Sequence, residues 1–198
     1  MTLTQAERML VSGTLTNTNN TSQGGMNSSG NLGNNSIDIV NQAGGVISAN
    51  GSGQNLLIDP SATAGLTNNG TMQAINGGIL LLSGNGGGTF TNTGTVTAVG
   101  SSTVQVTGAL TSSNLVDIGS GTLSVTAGGT YTQTAGNFQL ASGTVTSSTA
   151  LNILGGLVNA RGTIISAITH SANLQPSLVA SGLVVNGAVT LLSSSRLT

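Results

Sequence analysis

Leu66–Ala74 reads LTNNGTMQA, and Phe90–Ala98 reads FTNTGTVTA. Each stretch begins with an apolar residue, has Asn two positions later, and continues through Gly and Thr to a second apolar residue. A looser copy, IVNQAGGVISA, begins at Ile39, and every copy is followed by another β-rich stretch. A motif that recurs almost residue for residue indicates an internal structural repeat.

Looser copies extend the repeat toward the C-terminus. The copies begin at residues 39, 66, 90, 110, 131 and 151, so successive spacings are 27, 24, 20, 21 and 20 residues. Within a copy, apolar and polar residues alternate, as Val104 and Val106 do around Gln105, and this is the period of a β-strand. One copy is too short to bury its own apolar side, so each must stack on its neighbours.

The repeat predicts an all-β fold, a right-handed parallel β-helix (β-solenoid) with coils of roughly 20–27 residues. An antiparallel β-sandwich is the competing architecture, but a sandwich does not require the motif to recur. We assign residues 36–198 to the solenoid and residues 1–35 to an irregular N-terminal segment or cap, in which Thr4–Val11 has a weak helical pattern. The first residues lack the features of a signal peptide and the last read as a strand, so we expect a fragment of a longer protein.

Three Asn residues occupy one place in the repeat: Asn41, Asn68 and Asn92. Two interpretations are open. Stacked Asn side chains hydrogen-bond along the axis of other stacked-strand structures, which would make these residues an amide ladder. Alternatively, Asn tolerates the left-handed backbone conformation and would simply occupy a turn. Neither interpretation is catalytic.

The composition excludes several classes of protein. Charged residues make up 4% of the 198 residues, and the net charge is −1. There is no Lys and the three Arg residues are far apart, so we expect no nucleic-acid partner. No apolar run reaches the roughly 18 residues of a membrane-spanning helix. The absence of Cys excludes disulfides and thiolate metal sites, and we expect no cofactor.

Parallel β-helices also include polysaccharide lyases and glycosidases, so catalytic carboxylates are the next question. Such mechanisms need paired acids, or a metal with a basic residue. The acids of this chain lie in different repeats: Glu7, Asp38, Asp59 and Asp117. Asp59, next to Pro60, reads as a turn residue, and Asp117 should point outward if its neighbours Val116 and Ile118 point inward. We therefore predict no catalytic residue among them.

The remaining candidate motifs are also weak. His170 is the single histidine, has no nucleophile elbow near it, and reads as a solvated turn residue. Gly84–Gly88 (GNGGG) lacks the Lys-Ser/Thr of a phosphate-binding loop and reads as a turn between coils. The sequence contains neither a calcium-binding glycine-aspartate repeat nor an EF-hand loop. We predict no cofactor-binding and no metal-binding residue.

Thr-x-Thr pairs suggest a different function, because flat Thr arrays on solenoids bind ice. The pairs are Thr89/Thr91, Thr95/Thr97, Thr130/Thr132 and Thr144/Thr146. An ice-binding array would need pairs in consecutive coils on one face. Between the coils of Thr89 and Thr130 the corresponding pair is Ala109/Thr111, so we expect the array to be broken.

From Ile39 to Leu192 the sequence resembles the Gly/Asn/Thr-rich β-helical repeats of autotransporter passengers and related large bacterial adhesins. The copies at Leu66 and Phe90 carry the resemblance, together with Gly129–Gly136 (GTYTQTAG), which is similar to the family's G-x-Y-x-Q-x-x-G element. Leu151–Gly156 (LNILGG), followed by RGTI from Arg161, is similar to its L-x-I-x-G-G…G-T-I element.

One segment departs from the family pattern. The chain has Gln175-Pro176-Ser177 and Ala180-Ser181-Gly182 where such repeats usually have Pro-Gly and Ser-Pro-Gly, so we expect an altered turn there. The pattern resumes at Gly187–Leu191 (GAVTL).

The resemblance implies a non-catalytic structural or adhesive rod, on the bacterial cell surface or secreted. Its outward rows of Thr, Ser, Asn and Gln suit extracellular glycans or proteins through many weak hydrogen bonds, and exposed coil edges suit self-association. The alternatives are a carbohydrate-binding or carbohydrate-active β-helix and an ice-binding solenoid.

Overall fold

The computed structural model describes residues 13–18, 21–24, 30–126, 128–171, 173–176, 182–193 and 195–197. All regular elements in these ranges are β-strands. Those of the first half are β1 (Gly13–Asn17), β2 (Thr21–Gly24), β3 (Gly30–Leu32), β4 (Ile37–Asn41), β5 (Val46–Ala49), β6 (Asn55–Ile58), β7 (Leu66–Asn68), β8 (Thr71–Ala74), β9 (Ile79–Leu82), β10 (Thr89–Asn92), β11 (Thr95–Ala98) and β12 (Thr103–Val106). Those of the second half are β13 (Ala109–Ser112), β14 (Leu115–Asp117), β15 (Thr122–Val125), β16 (Thr130–Gln133), β17 (Asn137–Ser147), β18 (Leu151–Ile153), β19 (Leu157–Ile165), β20 (Ile168–His170), β21 (Asn173–Pro176), β22 (Leu183–Val185), β23 (Val189–Leu191) and β24 (Arg196–Leu197).

The strands stack into three faces, and within each face neighbouring strands are parallel. Face 1 is a nine-stranded sheet in the order β1-β4-β7-β10-β13-β16-β18-β20-β23. The second strand of each coil lies on face 2, and the third lies on face 3. Faces 2 and 3 are continuous where the long strands β17 and β19 run through the corner between them. Nine strands about 4.8 Å apart make a rod roughly 40 Å long.

The register confirms the predicted repeat. Face 1 pairs Ile39 with Leu66, Leu66 with Phe90, and Phe90 with Leu110, and each of these residues begins a predicted copy. The all-β parallel β-solenoid is thus confirmed, while its right-handedness stays a prediction. One coil is shorter than predicted, because Leu151 pairs with Ile168 only 17 residues later.

The predicted boundary at residue 36 does not mark the start of the parallel pairing. β1 already pairs with β4, aligning Leu15 with Ile39, and β2 and β3 pair with β5 and β6 in the same way. The described strands β1, β2 and β3 therefore pair in the same way as the strands of the later coils. The sequence signal was weak there because these strands have few apolar residues. The predicted helix at Thr4–Val11 lies outside the described residues. The predicted altered turn near Pro176–Ser181 lies largely outside them.

Alternation along each strand fills the interior. On face 2, Ile47, Met72 and Val96 point inward in register, and Val116 and Phe138 continue the same column. All five side chains are fully or almost fully buried. The core is mainly aliphatic, with one tilted aromatic pair, Tyr131 and Phe138, whose ring centroids are 5.7 Å apart. The interior is therefore packed with side chains rather than open.

Candidate functional site

A ladder of Asn side chains runs inside the solenoid at the turn between faces 1 and 2. We call Asn17, Asn41, Asn68 and Asn92 the Asn ladder. The Nδ2 of each donates to the Oδ1 of the next, at 2.8 Å, 2.7 Å and 2.7 Å in succession. All four side chains are buried. Since they occupy the last position of successive face 1 strands, parallel pairing places them directly above one another.

The ladder also ties the turns together. Asn68 Nδ2 lies 3.3 Å from the carbonyl oxygen of Gly70 in its own turn and 3.0 Å from that of Thr95 in the next coil. Asn41 and Asn92 make the corresponding bonds. Among the described residues, positive φ outside glycine occurs elsewhere, at Asn34, Asn35, Asn76 and Ser142. The interpretation of the ladder residues as left-handed turn residues is therefore wrong, and the amide ladder is correct.

In the coils after Asn92, the position in register with the Asn ladder is no longer Asn. Asn92 Nδ2 donates to Ser112 Oγ at 3.0 Å. One coil later Gln133 accepts a hydrogen bond from the Tyr131 hydroxyl, and its Nε2 donates to the carbonyl of Asn114 at 2.7 Å. The next position is Ile153, which makes no side-chain hydrogen bond. The ladder thus connects the N-terminal and central coils and does not reach the last ones.

Glycine follows the ladder residue because the coils approach closely at this turn. A Cβ on Gly94 would lie 2.1 Å from the carbonyl oxygen of Gly70, and a Cβ on Gly70 would lie 2.3 Å from that of Gly45. Neither Gly70 nor Gly94 has positive φ. The Asn-x-Gly motif therefore combines a side chain that bonds along the axis with a residue small enough for the next turn.

The outward positions form rows along the axis. One row on face 1 is mainly Thr, and parallel pairing aligns its members in sequence: Thr16, Val40, Thr67, Thr91, Thr111, Thr132, Asn152, Thr169 and Thr190. We call this the face 1 Thr row. Face 3 carries a shorter row, Thr103, Thr122, Thr144 and Thr163.

The four Thr-x-Thr pairs found in the sequence are distributed over three faces. Thr89/Thr91 and Thr130/Thr132 lie on face 1, Thr95/Thr97 on face 2, and Thr144/Thr146 on face 3. The expected break in the array of pairs is thus confirmed. The face 1 Thr row was not evident from the sequence. A search for Thr-x-Thr pairs overlooks it, because in several coils only the second position of the pair is Thr.

The carboxylates of the described acids accept hydrogen bonds from residues near them. Asp38 Oδ1 accepts hydrogen bonds from Ser61 Oγ and, at 3.1 Å, from the backbone N–H of Ala64. Asp117 points outward, as predicted, and accepts a bond from the N–H of Gly119 at 3.0 Å. Within the described ranges, no group of three or more His or acidic residues is placed to hold a metal ion. Glu7 lies outside these ranges.

Asp59 follows β6 as predicted, but its side chain is buried, with only 5% exposed. Burial raises the pKa of this carboxyl above its usual value, and a hydrogen bond with Ser83 partly opposes the rise. Its Oδ1 has no hydrogen-bond partner among the described residues. A buried carboxyl at a coil corner, with Oδ1 unpartnered, opposes folding when it is ionised.

His170 is not the solvated turn residue that the sequence predicts. It is the last residue of β20, its side chain points inward and is 2% exposed, and neither ring nitrogen has a hydrogen-bond partner within the described part of the chain. It stands in the column of the Asn ladder, between Ile153 and Leu191, and lines an apolar cavity of about 30 Å³. Burial lowers the pKa of the imidazole below its usual value. The inward orientation of His170 depends on the register of β20 with β18. This register could not be read from the sequence, because the C-terminal copies of the repeat are loose.

Gly84–Gly88 forms the corner between β9 and β10, as predicted, and no helix follows it. No described helix is long and apolar enough to cross a membrane. Comparisons of the chain with protein-family models, with curated proteins and with solved structures found no match.

Proposed function

We propose that this chain is a non-catalytic rod segment of a bacterial surface or secreted protein, similar to an autotransporter passenger, which presents polar rows for adhesion. The single observation that carries the proposal is the face 1 Thr row, which continues across nine strands on a rod with a filled interior. The sequence motifs at Leu66, Phe90 and Gly129 support the autotransporter-like assignment. A repeated row of hydroxyls suits an extended, hydroxyl-rich partner, because many weak bonds add through multivalency.

The chemistry of the acids supports a non-catalytic role. Asp38, Asp59 and Asp117 bond to residues of their own or the adjacent coil, and Asp59 is buried. A glycosidase needs two carboxyl groups facing one bond of the substrate. A carbohydrate-active enzyme is therefore the less favoured alternative.

Polysaccharide binding tests the adhesive role. Purified protein is passed over immobilised bacterial and host glycans, alongside a variant in which Thr91 and Thr111 of the face 1 Thr row are both changed to Glu. The matched control changes Thr122 and Thr144 of face 3 to Glu. We expect binding that the face 1 variant loses and the face 3 control keeps. Equal loss in both variants, or no binding to any glycan or host surface, would contradict the proposal.

Ice binding is a second candidate, favoured by four consecutive Thr residues of the face 1 Thr row, Thr67 to Thr132. Thermal hysteresis of the purified protein decides between the two. If the protein shows thermal hysteresis and the double face 1 variant does not, ice binding is the function rather than adhesion. If the unaltered protein shows no hysteresis, adhesion is the better candidate.

A further inference from the structure

The sequence contains five Asn-Gly pairs, which begin at Asn50, Asn69, Asn76, Asn85 and Asn186. Asn-Gly is chemically labile because glycine lacks a side chain that would hinder its backbone nitrogen. That nitrogen can attack Cγ of the preceding Asn, and the solenoid holds the five pairs in different environments. The structure therefore allows their reactivities to be compared within one molecule.

Two pairs have a glycine N–H that is held in a hydrogen bond. Gly77 N donates to Ser102 Oγ at 2.9 Å, although Asn76 is exposed. Gly70 N donates to the carbonyl of Asn41 at 3.1 Å. Attack by either nitrogen would first require that bond to break, which disfavours the reaction.

The pair Asn85-Gly86 lacks such a hydrogen bond. Both residues are exposed in the corner between β9 and β10, and no described residue accepts a hydrogen bond from the backbone N–H of Gly86. The corner lies between strands, so the sheet ladder does not restrain it. Asn186-Gly187 is similarly exposed, between β22 and β23.

We propose that Asn85 is a site of spontaneous deamidation, with Asn186 as a second and Asn69 and Asn76 protected. The backbone nitrogen of Gly86 forms a bond to Cγ of Asn85 and gives up its proton, and the side-chain nitrogen leaves as ammonia. Water then opens the five-membered succinimide to Asp or isoaspartate. No oxidant or reductant takes part. Each event adds one negative charge to a chain whose net charge is −1, so the modification changes its charge substantially.

The experiment follows the folded protein during incubation in mildly alkaline buffer. Charge variants are separated by ion exchange, and modified residues are assigned by mass spectrometry after digestion with a protease that does not require Lys or Arg. We expect Asn85 to react about three- to tenfold faster than Asn76, the range that one hydrogen bond accounts for. In denaturant all five pairs should react at similar rates. Equal rates for Asn85 and Asn76 in the folded protein would overturn the proposal.

Ser102→Ala provides the decisive variant. It frees the N–H of Gly77 and should raise the rate at Asn76 while leaving Asn69 unchanged. If the variant unfolds, the rate at Asn69 rises too, so unfolding is recognised directly. In that case the comparison of Asn85 with Asn69 in the unaltered protein still tests the proposal. An unchanged rate at Asn76 in a folded variant would contradict the protective role of the hydrogen bond.

Discussion

The side-chain amide of Asn68 donates to Oδ1 of Asn92 at 2.7 Å, although 24 residues of chain separate them. Between these two residues the chain passes once around the solenoid, so the bond joins the same turn of consecutive coils. A shift of either strand by one residue would move its Asn from the interior to the surface. The bond thus helps to set the register of the coils as well as stabilising the turn.

Asn68→Ala should strongly destabilise the solenoid. The change leaves the buried Oδ1 of Asn92 without its donor, while Asn41 Nδ2 loses one acceptor and keeps the carbonyl oxygens of Gly45 and Thr71. We expect the free energy of unfolding to fall by about 1–3 kcal/mol, the usual cost of leaving one buried polar group unpaired. Chemical denaturation measures the change. Thr67→Ala, at the outward position beside it, is the control and should cost less than about 1 kcal/mol.

Gly94→Ala should destabilise the protein through steric overlap. The new Cβ would meet the carbonyl oxygen of Gly70 at 2.1 Å, and backbone atoms must move to relieve this contact. We expect a loss of about 1–3 kcal/mol, the usual cost of overpacking. Gly182→Ala is the matched control, since no atom of the described residues lies within 4 Å of its added Cβ. Equal melting temperatures for the two variants would argue against a closely packed turn.

His170 should make the protein less stable in mild acid. In the unfolded chain the imidazole takes up a proton below its usual pKa of 6.5, whereas burial lowers the pKa in the folded state. Between the two values the unfolded state binds more protons, so the free energy of unfolding falls as the pH falls. His170→Leu should remove this part of the decrease. The test compares denaturation midpoints at about pH 8 and about pH 5; parallel decreases in both proteins would show that another group is responsible.

Charged neighbours do not complicate this prediction. The sequence has no Asp, Glu, Lys or Arg between Arg161 and Arg196, and the described side chain of Arg161 is exposed. The walls of the cavity beside His170 are apolar. A protonated His170 would therefore have no counter-charge from β18, β19, β20, β22 or β23.

Asp59 should have the opposite effect to His170, making the protein more stable as the pH falls. Burial raises its folded-state pKa above 3.8, so the folded state takes up a proton at a higher pH than the unfolded state does. This contribution to stability increases as the pH falls through the raised value toward 3.8. Asp59→Asn should stabilise the protein at neutral pH and remove that increase. A lower stability of the variant at neutral pH would show that the carboxylate has a favourable partner in solution.

The fold was predictable because the repeat and the strand period are both explicit in the sequence. The positions chosen as copy starts, such as Leu66, Phe90 and Leu110, are the residues that pair across the coils. The pairing of β1 with β4 was not predictable, because Gly13–Asn17 has a single inward apolar residue, Leu15, and the pairing is visible only in three dimensions.

The candidate surfaces were less predictable. The Asn ladder was one of two interpretations, because the same Asn-x-Gly spacing fits a left-handed turn until the backbone angles are known. His170 was misassigned because its inward orientation depends on the register of β20 with β18, and the coil before it is shortened to 17 residues. The face 1 Thr row depends on the same register and not on any local motif.

The unequal coil lengths have a mechanical consequence. A force applied to the two chain ends would peel strands away one coil at a time, since each coil contacts only its neighbours. Each coil released adds a length of chain set by its residue count, at about 3.5 Å per residue. The coil of 27 residues from Ile39 to Leu66 would extend by about 95 Å, and the coil of 17 residues from Leu151 to Ile168 by about 60 Å. A pulled molecule would therefore lengthen in steps whose sizes identify the coil that has just opened.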